Sequence, residues 1–196
     1  MNVRPNPRYA EFVHRIRTLS PAPARWAGLT FRSVELEHAS PNKILSGEGS
    51  RRFGGRWNAP GTFPVIYSST RPATAIEEAF QLAADYELLP DDLKPRITCG
   101  IEWDLDPVID LTRENLPSWL KPANWMQEDF LRINDSGFET LCQAFGRAAR
   151  NSMISGIVYP SARVEGGVNL VVFRDRLRRN ETMRLLGEDE LKKYLA

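Results

Sequence analysis

The sequence predicts a single α+β domain with a mixed or antiparallel sheet at its core and helices surrounding it. Three observations carry this expectation. The chain has 196 residues, a length suited to one compact domain with a sizeable core. Hydrophobic residues make up 42% and charged residues 26%, the balance of a globular protein rather than a disordered one. Strand-like and helix-like segments are interspersed without the regular alternation of a doubly wound sheet. The chain divides into an N-terminal helical extension, residues 1–25, and a main domain, residues 26–196.

Taken in order, Tyr9 to Leu19 places apolar and basic residues at helical spacing and stops before Ser20-Pro21-Ala22-Pro23, a helix and its linker. Gly28 to Val34 reads as a strand with Leu29, Phe31 and Val34 inward. Glu37 to Gly61 is a long polar stretch with five glycines and two prolines, the kind of loop that often carries function. Phe63 to Ser68 is a short apolar strand, and Pro72 opens a helix reaching Tyr86, since the pyrrolidine ring suits a first helical turn. Arg96 to Trp103 alternates as a strand, with Val108 to Leu111 as a second. Leu116 to Phe145 has helical periodicity, with Phe138, Leu141, Cys142 and Phe145 on one stripe of a helix ending near Met153. Gly156 to Tyr159 and Val168 to Phe173 are strands around the loop Pro160 to Gly167, and a short helix closes the chain from Glu188.

The formal charge is +1, which points to neither nucleic acid nor membrane as a partner. Its distribution is uneven: residues 1–60 hold ten Lys/Arg against four Asp/Glu. Such an excess either gathers anionic ligand groups or is mixed over the surface by folding. Cys99 and Cys142 lie in apolar segments, where a buried thiol is the default, and His14 and His38 are isolated, so no metal site is expected. No apolar run approaches membrane-spanning length and no leader is evident, so a reducing cytoplasm is the expected location.

Three segments set polar residues beside strands. The first, Ser46 to Asn58, joins glycines, whose backbone N–H groups can approach a phosphate, to Arg51, Arg52 and Arg56. As composition alone it is equally a solvated turn. The second, Tyr67 to Glu78, runs from a strand end into a helix carrying Glu77 and Glu78, where acids also suit the helix dipole. Neighbours on a helix point about 100° apart, so at most one of the two faces a cleft. Glu78 shares the more apolar face with Ala75, Ala79 and Leu82, and an acid there is either partnered or functional. The third, Ile157 to Phe173, flanks Ser161, Arg163 and Asn169 with apolar strands; no nucleophile elbow accompanies Ser161, which equally suits a local turn.

In order along the chain, these segments resemble the RES-domain toxins of bacterial RES–Xre toxin–antitoxin pairs. The resemblance rests on Arg32, Gly54-Gly55-Arg56-Trp57-Asn58, Tyr67, Ala75 to Glu78, Tyr159-Pro160-Ser161 and Asn169-Leu170-Val171-Val172-Phe173, over most of the chain. It implies a fold similar to ADP-ribosyltransferases and an enzyme that breaks the nicotinamide–ribose bond of NAD+, used as substrate rather than cofactor, to deplete the cell of it. The acceptor is water or phosphate; the alternative is ADP-ribosylation of a specific protein. The implied catalytic set is Arg56, Tyr67 and Glu78. Arg32, Gly54, Gly55, Asn58, Ser161 and Asn169 are implied as NAD+ contacts, and Trp57 reads as packing. A helical Xre-type antitoxin is the implied partner, and the chain leaves a homodimer open.

Overall fold

The computed structural model describes residues 3–85, 94–121 and 125–195. Seven helices and six strands are found there: α1 (Tyr9–Arg17), β1 (Ala24–Glu35), α2 (Pro41–Ile44), α3 (Glu48–Phe53), β2 (Val65–Ser69), α4 (Pro72–Asp85), β3 (Arg96–Asp110), α5 (Phe130–Asp135), α6 (Leu141–Asn151), β4 (Gly156–Pro160), β5 (Val168–Phe173), β6 (Thr182–Leu185) and α7 (Glu188–Leu195). The fold is α+β around a mixed sheet, as the interspersed periodicities predict.

The strand order is β1-β2-β5-β4-β3-β6, and β1 also pairs with β3, so the first five strands close on themselves. β3 and β4 run parallel and the other pairs antiparallel. The long β1–β3 ribbon forms one wall, whereas β1 meets β2 through a single residue pair, Phe31 with Ser69. β2, β4 and β5 are nearly continuous apolar runs because both faces are covered. One face, with Ile66, Val158, Leu170 and Val172, packs against Ile101, Trp103 and Leu105 of β3. The other, with Val65, Ile157, Tyr159, Val171 and Phe173, packs under α1 and α6 together with Trp57 and Trp125. α6 starts with a capping box between Thr140 and Gln143, which satisfies two backbone donors at its first turn. At Gly146 a Cβ would stand 2.0 Å from the Trp57 carbonyl oxygen, so the absence of a side chain sets how closely α6 meets that loop.

Several expectations are corrected. In β1 the inward residues are Thr30 and Val34, while Leu29 is 42% exposed. Thr30 tolerates burial because its Oγ1 accepts a hydrogen bond from Trp103 Nε1 at 2.7 Å. Leu29 lies on the outer face beside Leu186, with Gly100 between them. The polar stretch 37–61 contains α2 and α3. The two strands expected over 96–111 are one 15-residue strand, with a register shift against β1 near the non-donating Pro107. Phe138 precedes α6 and is 47% exposed, with Arg4 over its ring, so it is not part of the α6 stripe. β6 was absent from the sequence-based expectation, and Tyr86, the expected end of α4, lies outside the described residues.

Candidate active site

Strand register assembles the first part of the site. Across β2, β5 and β4, Ser69 pairs with Asn169 and Asn169 with Tyr159. Tyr67, two residues back along β2, shares their face because side chains alternate. Glu78 reaches this row from α4. Its Oε1 accepts hydrogen bonds from Ser161 Oγ at 2.6 Å and Asn169 Nδ2 at 2.7 Å. Both donors are fixed in turn. Ser161 Oγ accepts the backbone N–H groups of Arg163 and Val164, at 3.1 and 2.9 Å, which leaves its one proton for the carboxylate. Asn169 Oδ1 accepts from Ser69 Oγ at 2.7 Å, so the amide presents its NH2 to Glu78. The second carboxylate oxygen, Oε2, lies 3.7 Å from Arg163 Nε. Glu77, one position earlier, is exposed, and of the two acids only Glu78 meets Ser161 and Asn169 among the described residues.

The glycine-rich corner is built differently. The Tyr67 hydroxyl donates to Asn58 Oδ1 at 2.8 Å and accepts from the Trp57 N–H at 2.9 Å. Burial raises this hydroxyl above its ordinary pKa, opposed by the Trp57 N–H, Arg56 and Arg32, so Tyr67 offers a ring and a fixed hydroxyl rather than a base. Asn58 is fully buried, and its Nδ2 donates to the carbonyls of Ser50 and Phe63 at 2.7 and 3.2 Å. With both ends of its amide engaged, Asn58 braces the loop from within. Gly54 and Gly55 are tied into the same frame. Their N–H groups go to the carbonyls of Ser50 at 2.8 Å and Asn58 at 2.9 Å. They are glycine for steric cause: Gly54 has φ +78°, and a Cβ on Gly55 would lie 2.6 Å from the Tyr67 hydroxyl.

What this corner presents is guanidinium. Arg56 donates through Nη1 to the Met126 carbonyl, and its charge opposes the rise that burial imposes on the Tyr67 and Tyr159 hydroxyls. Arg32, from β1, donates Nη1 to the Tyr67 carbonyl at 2.7 Å, while its Nε is sealed from solvent with no partner among the described residues. Burial, then the nearby Arg96, pushes the Arg32 pKa down to about 10, so the cation is held where its charge is poorly compensated.

Two residues outside the expected set complete the arrangement. The buried Tyr159 hydroxyl is raised well above its ordinary pKa by burial and then by Glu78, and is influenced by Tyr67 and Arg56, so it links the two corners. Its ring meets Trp57 edge-on at 5.0 Å. Gln143 of α6, fully buried, donates to the Gly55 carbonyl at 2.9 Å and so supports the glycine loop from below. Trp57 is packing, as expected. Cys142 is buried and its thiol is pushed up to about 12 by burial, an inert group beside Arg56.

A cavity of about 530 Å³ lies elsewhere, between α1 and Pro117–Trp119. Its charged lining is internally compensated, since Arg15 pairs with Glu11 at 2.8 Å and stacks over Trp119. Glu35, Glu37 and His38 come together at the surface, where Glu37 is already paired with Lys94. Among the described residues no helix is long and apolar enough to cross a membrane.

Residues 30–190 match the family described as the RES domain. The NAD(+) phosphorylases MbcT of Mycobacterium tuberculosis and Mycobacterium bovis are each 37% identical over 131 residues, covering 65% of this chain. The match spans 64% of the length of these curated relatives. The crystal structure of the Mycobacterium tuberculosis MbcT–MbcA toxin–antitoxin complex is similar with a TM-score of 0.61 and 28% identity, over 93% of this chain and 95% of that chain.

Proposed function

The chain belongs to the RES domain family, and on that premise we propose that it is a toxin enzyme that cleaves the nicotinamide–ribose bond of NAD+. The observation that carries the proposal is the Glu78 carboxylate, held by Ser161 and Asn169 through one oxygen, with the other 3.7 Å from Arg163 Nε, beside the sheet face that carries Tyr67. When nicotinamide leaves, it takes both electrons of the C1′–N bond and becomes neutral, and an oxocarbenium ion develops on the ribose. A carboxylate fixed beside the ribose holds its hydroxyls and balances the growing positive charge. It stabilises the transition state more than the ground state, which is what accelerates the step.

Arg32 and Arg56 clamp the pyrophosphate and orient the ribose, since guanidinium matches phosphate oxygens in charge and geometry. Arg32 Nε supports this role: it is buried with no hydrogen-bond partner among the described residues, and an arriving anion supplies one. The Tyr67 ring packs against the nicotinamide. Ser161 and Asn169 act through Glu78, and Gly54, Gly55 and Asn58 hold the loop that carries Arg56. The acceptor is inorganic phosphate, as named for MbcT, whose oxygen attacks C1′ to give ADP-ribose 1″-phosphate. The partner is a neutralising antitoxin of Xre type; the similarity to a toxin–antitoxin complex supports the pairing.

The test is the product mixture from NAD+ and purified antitoxin-free chain, with and without phosphate. We expect nicotinamide and the phosphorylated ADP-ribose when phosphate is present. Free ADP-ribose at an equal rate in both arms would replace phosphate by water, and stable label on a cellular protein would make the enzyme a transferase. No nicotinamide in either arm would refute the proposal.

A further inference from the structure

We infer that Ser69 is a positioning residue for the reaction, acting through Asn169 on Glu78; the inference rests on the proposed NAD+ cleavage. Ser69 is the last residue of β2 and one half of the single residue pair through which β1 and β2 close the sheet. It is 2% exposed, and Asn169, its register partner on β5, is 3% exposed.

A primary amide has two ends of opposite polarity, and a buried one takes the orientation its partners dictate. Asn169 stands between a hydroxyl and a carboxylate. Ser69 Oγ donates to Oδ1 at 2.7 Å and Nδ2 donates to Glu78 Oε1 at 2.7 Å. With the Ser69 proton removed, nothing among the described contacts of Oδ1 holds that end of the amide. The flipped amide would set a carbonyl oxygen against the carboxylate, two acceptors face to face. Glu78 would then keep only Ser161 on Oε1 and would rotate away from the geometry in which Oε2 meets the ribose. Ser69 never touches the substrate: its hydroxyl fixes the polarity of Asn169, and Asn169 fixes the carboxylate.

The wiring gives Ser69→Ala a distinct signature. Loss of the Ser69–Asn169 hydrogen bond, and with it the Asn169–Glu78 bond, is expected to lower kcat for nicotinamide release about tenfold, with KM for NAD+ held within about twofold, because the phosphate clamps lie elsewhere. Ser69→Thr, which keeps the hydroxyl, is expected to restore most of the rate. In an Asn169→Ala background the Ser69→Ala change should be silent, since its route to Glu78 is already cut. Independently of turnover, the Asn169 side-chain amide protons should exchange slowly with solvent in the parent chain and faster in Ser69→Ala.

An active parent with unchanged kcat in Ser69→Ala would overturn the inference and leave NAD+ cleavage standing. So would multiplicative losses in the double variant. A parent inert toward NAD+ would remove the functional reading, and the inference with it, whatever the amide exchange shows.

Discussion

The two corners of the site are written in similar residues and work in opposite ways. Around Glu78, the polar groups of Ser69, Asn169 and Ser161 converge on one carboxylate oxygen, and the other lies 3.7 Å from Arg163 Nε. Around the glycine loop, the Tyr67 hydroxyl, the Asn58 amide and the N–H groups of Gly54 and Gly55 bond to one another and to nearby carbonyls. One corner uses hydrogen bonds to aim a reactive atom. The other uses them to make a rigid frame, beside which stand the guanidinium groups of Arg56 and Arg32. A polar, glycine-rich segment is therefore no more a ligand cradle than a short apolar strand is mere core; what matters is where the donors end.

The comparison breaks most easily at its reactive atom. Glu78→Gln keeps the shape but removes the charge that balances the oxocarbenium ion, and we expect nicotinamide release to fall by about a thousandfold. Glu77→Gln, at an exposed position, should leave the rate near the parent value. Steady-state assays on both variants decide which acid acts, and equal losses would contradict the assignment.

The frame is tested by Gly146→Ala. Its Cβ would fall 2.0 Å from the Trp57 carbonyl, so α6 must move off the loop, and we expect a loss of about 3 kcal/mol in denaturant unfolding. A stability unchanged from the parent would show that the contact between α6 and the loop yields easily.

Arg32 sharpens the contrast between binding and folding. It is a half-buried cation whose Nε is sealed without a partner among the described residues, so Arg32→Met is expected to leave the free chain as stable or up to about 2 kcal/mol more stable. The sign follows from the pKa: burial lowers it from 12.5, so at neutral pH the folded state carries a cation it disfavours relative to the unfolded chain. The same variant should raise KM for NAD+ about tenfold or more. A destabilised variant with unchanged KM would assign Arg32 to the fold alone. The smallest expected effect is that of Tyr67→Phe, which leaves the Trp57 N–H and Asn58 Oδ1 without their partner while keeping the ring. Stability should drop by about 1–2 kcal/mol, with the change in denaturation midpoint exceeding any change in KM.

Much of this was legible in the sequence, for reasons that can be named. Short, mainly apolar runs point to β2, β4 and β5 because these strands are covered on both faces. The choice of Glu78 over Glu77 followed from the apolar face of α4, and the hydrogen bonds to Ser161 and Asn169 fall on that residue. The inner face of β1 was not legible, because Leu29 and Phe31 look inward by composition while Thr30 becomes an inward residue only through Trp103, 73 positions away. The internal partners of Asn58 and the two glycines, which include the Tyr67 hydroxyl, were not legible either, because the fold sets them. Ser69 carries no such signal: its place beside Asn169 is a matter of strand register, which residues 100 apart do not disclose. Pairing, not residue type, separated the frame from the aim.

The most direct test of the whole account is a crystal structure of the Glu78→Gln chain with intact NAD+. We expect the nicotinamide ribose to hydrogen-bond the side chain at position 78, with the pyrophosphate on Arg32 and Arg56 and the nicotinamide against the Tyr67 ring. NAD+ seated away from position 78, or with its phosphates on the backbone of the glycine loop and no contact to either arginine, would contradict it.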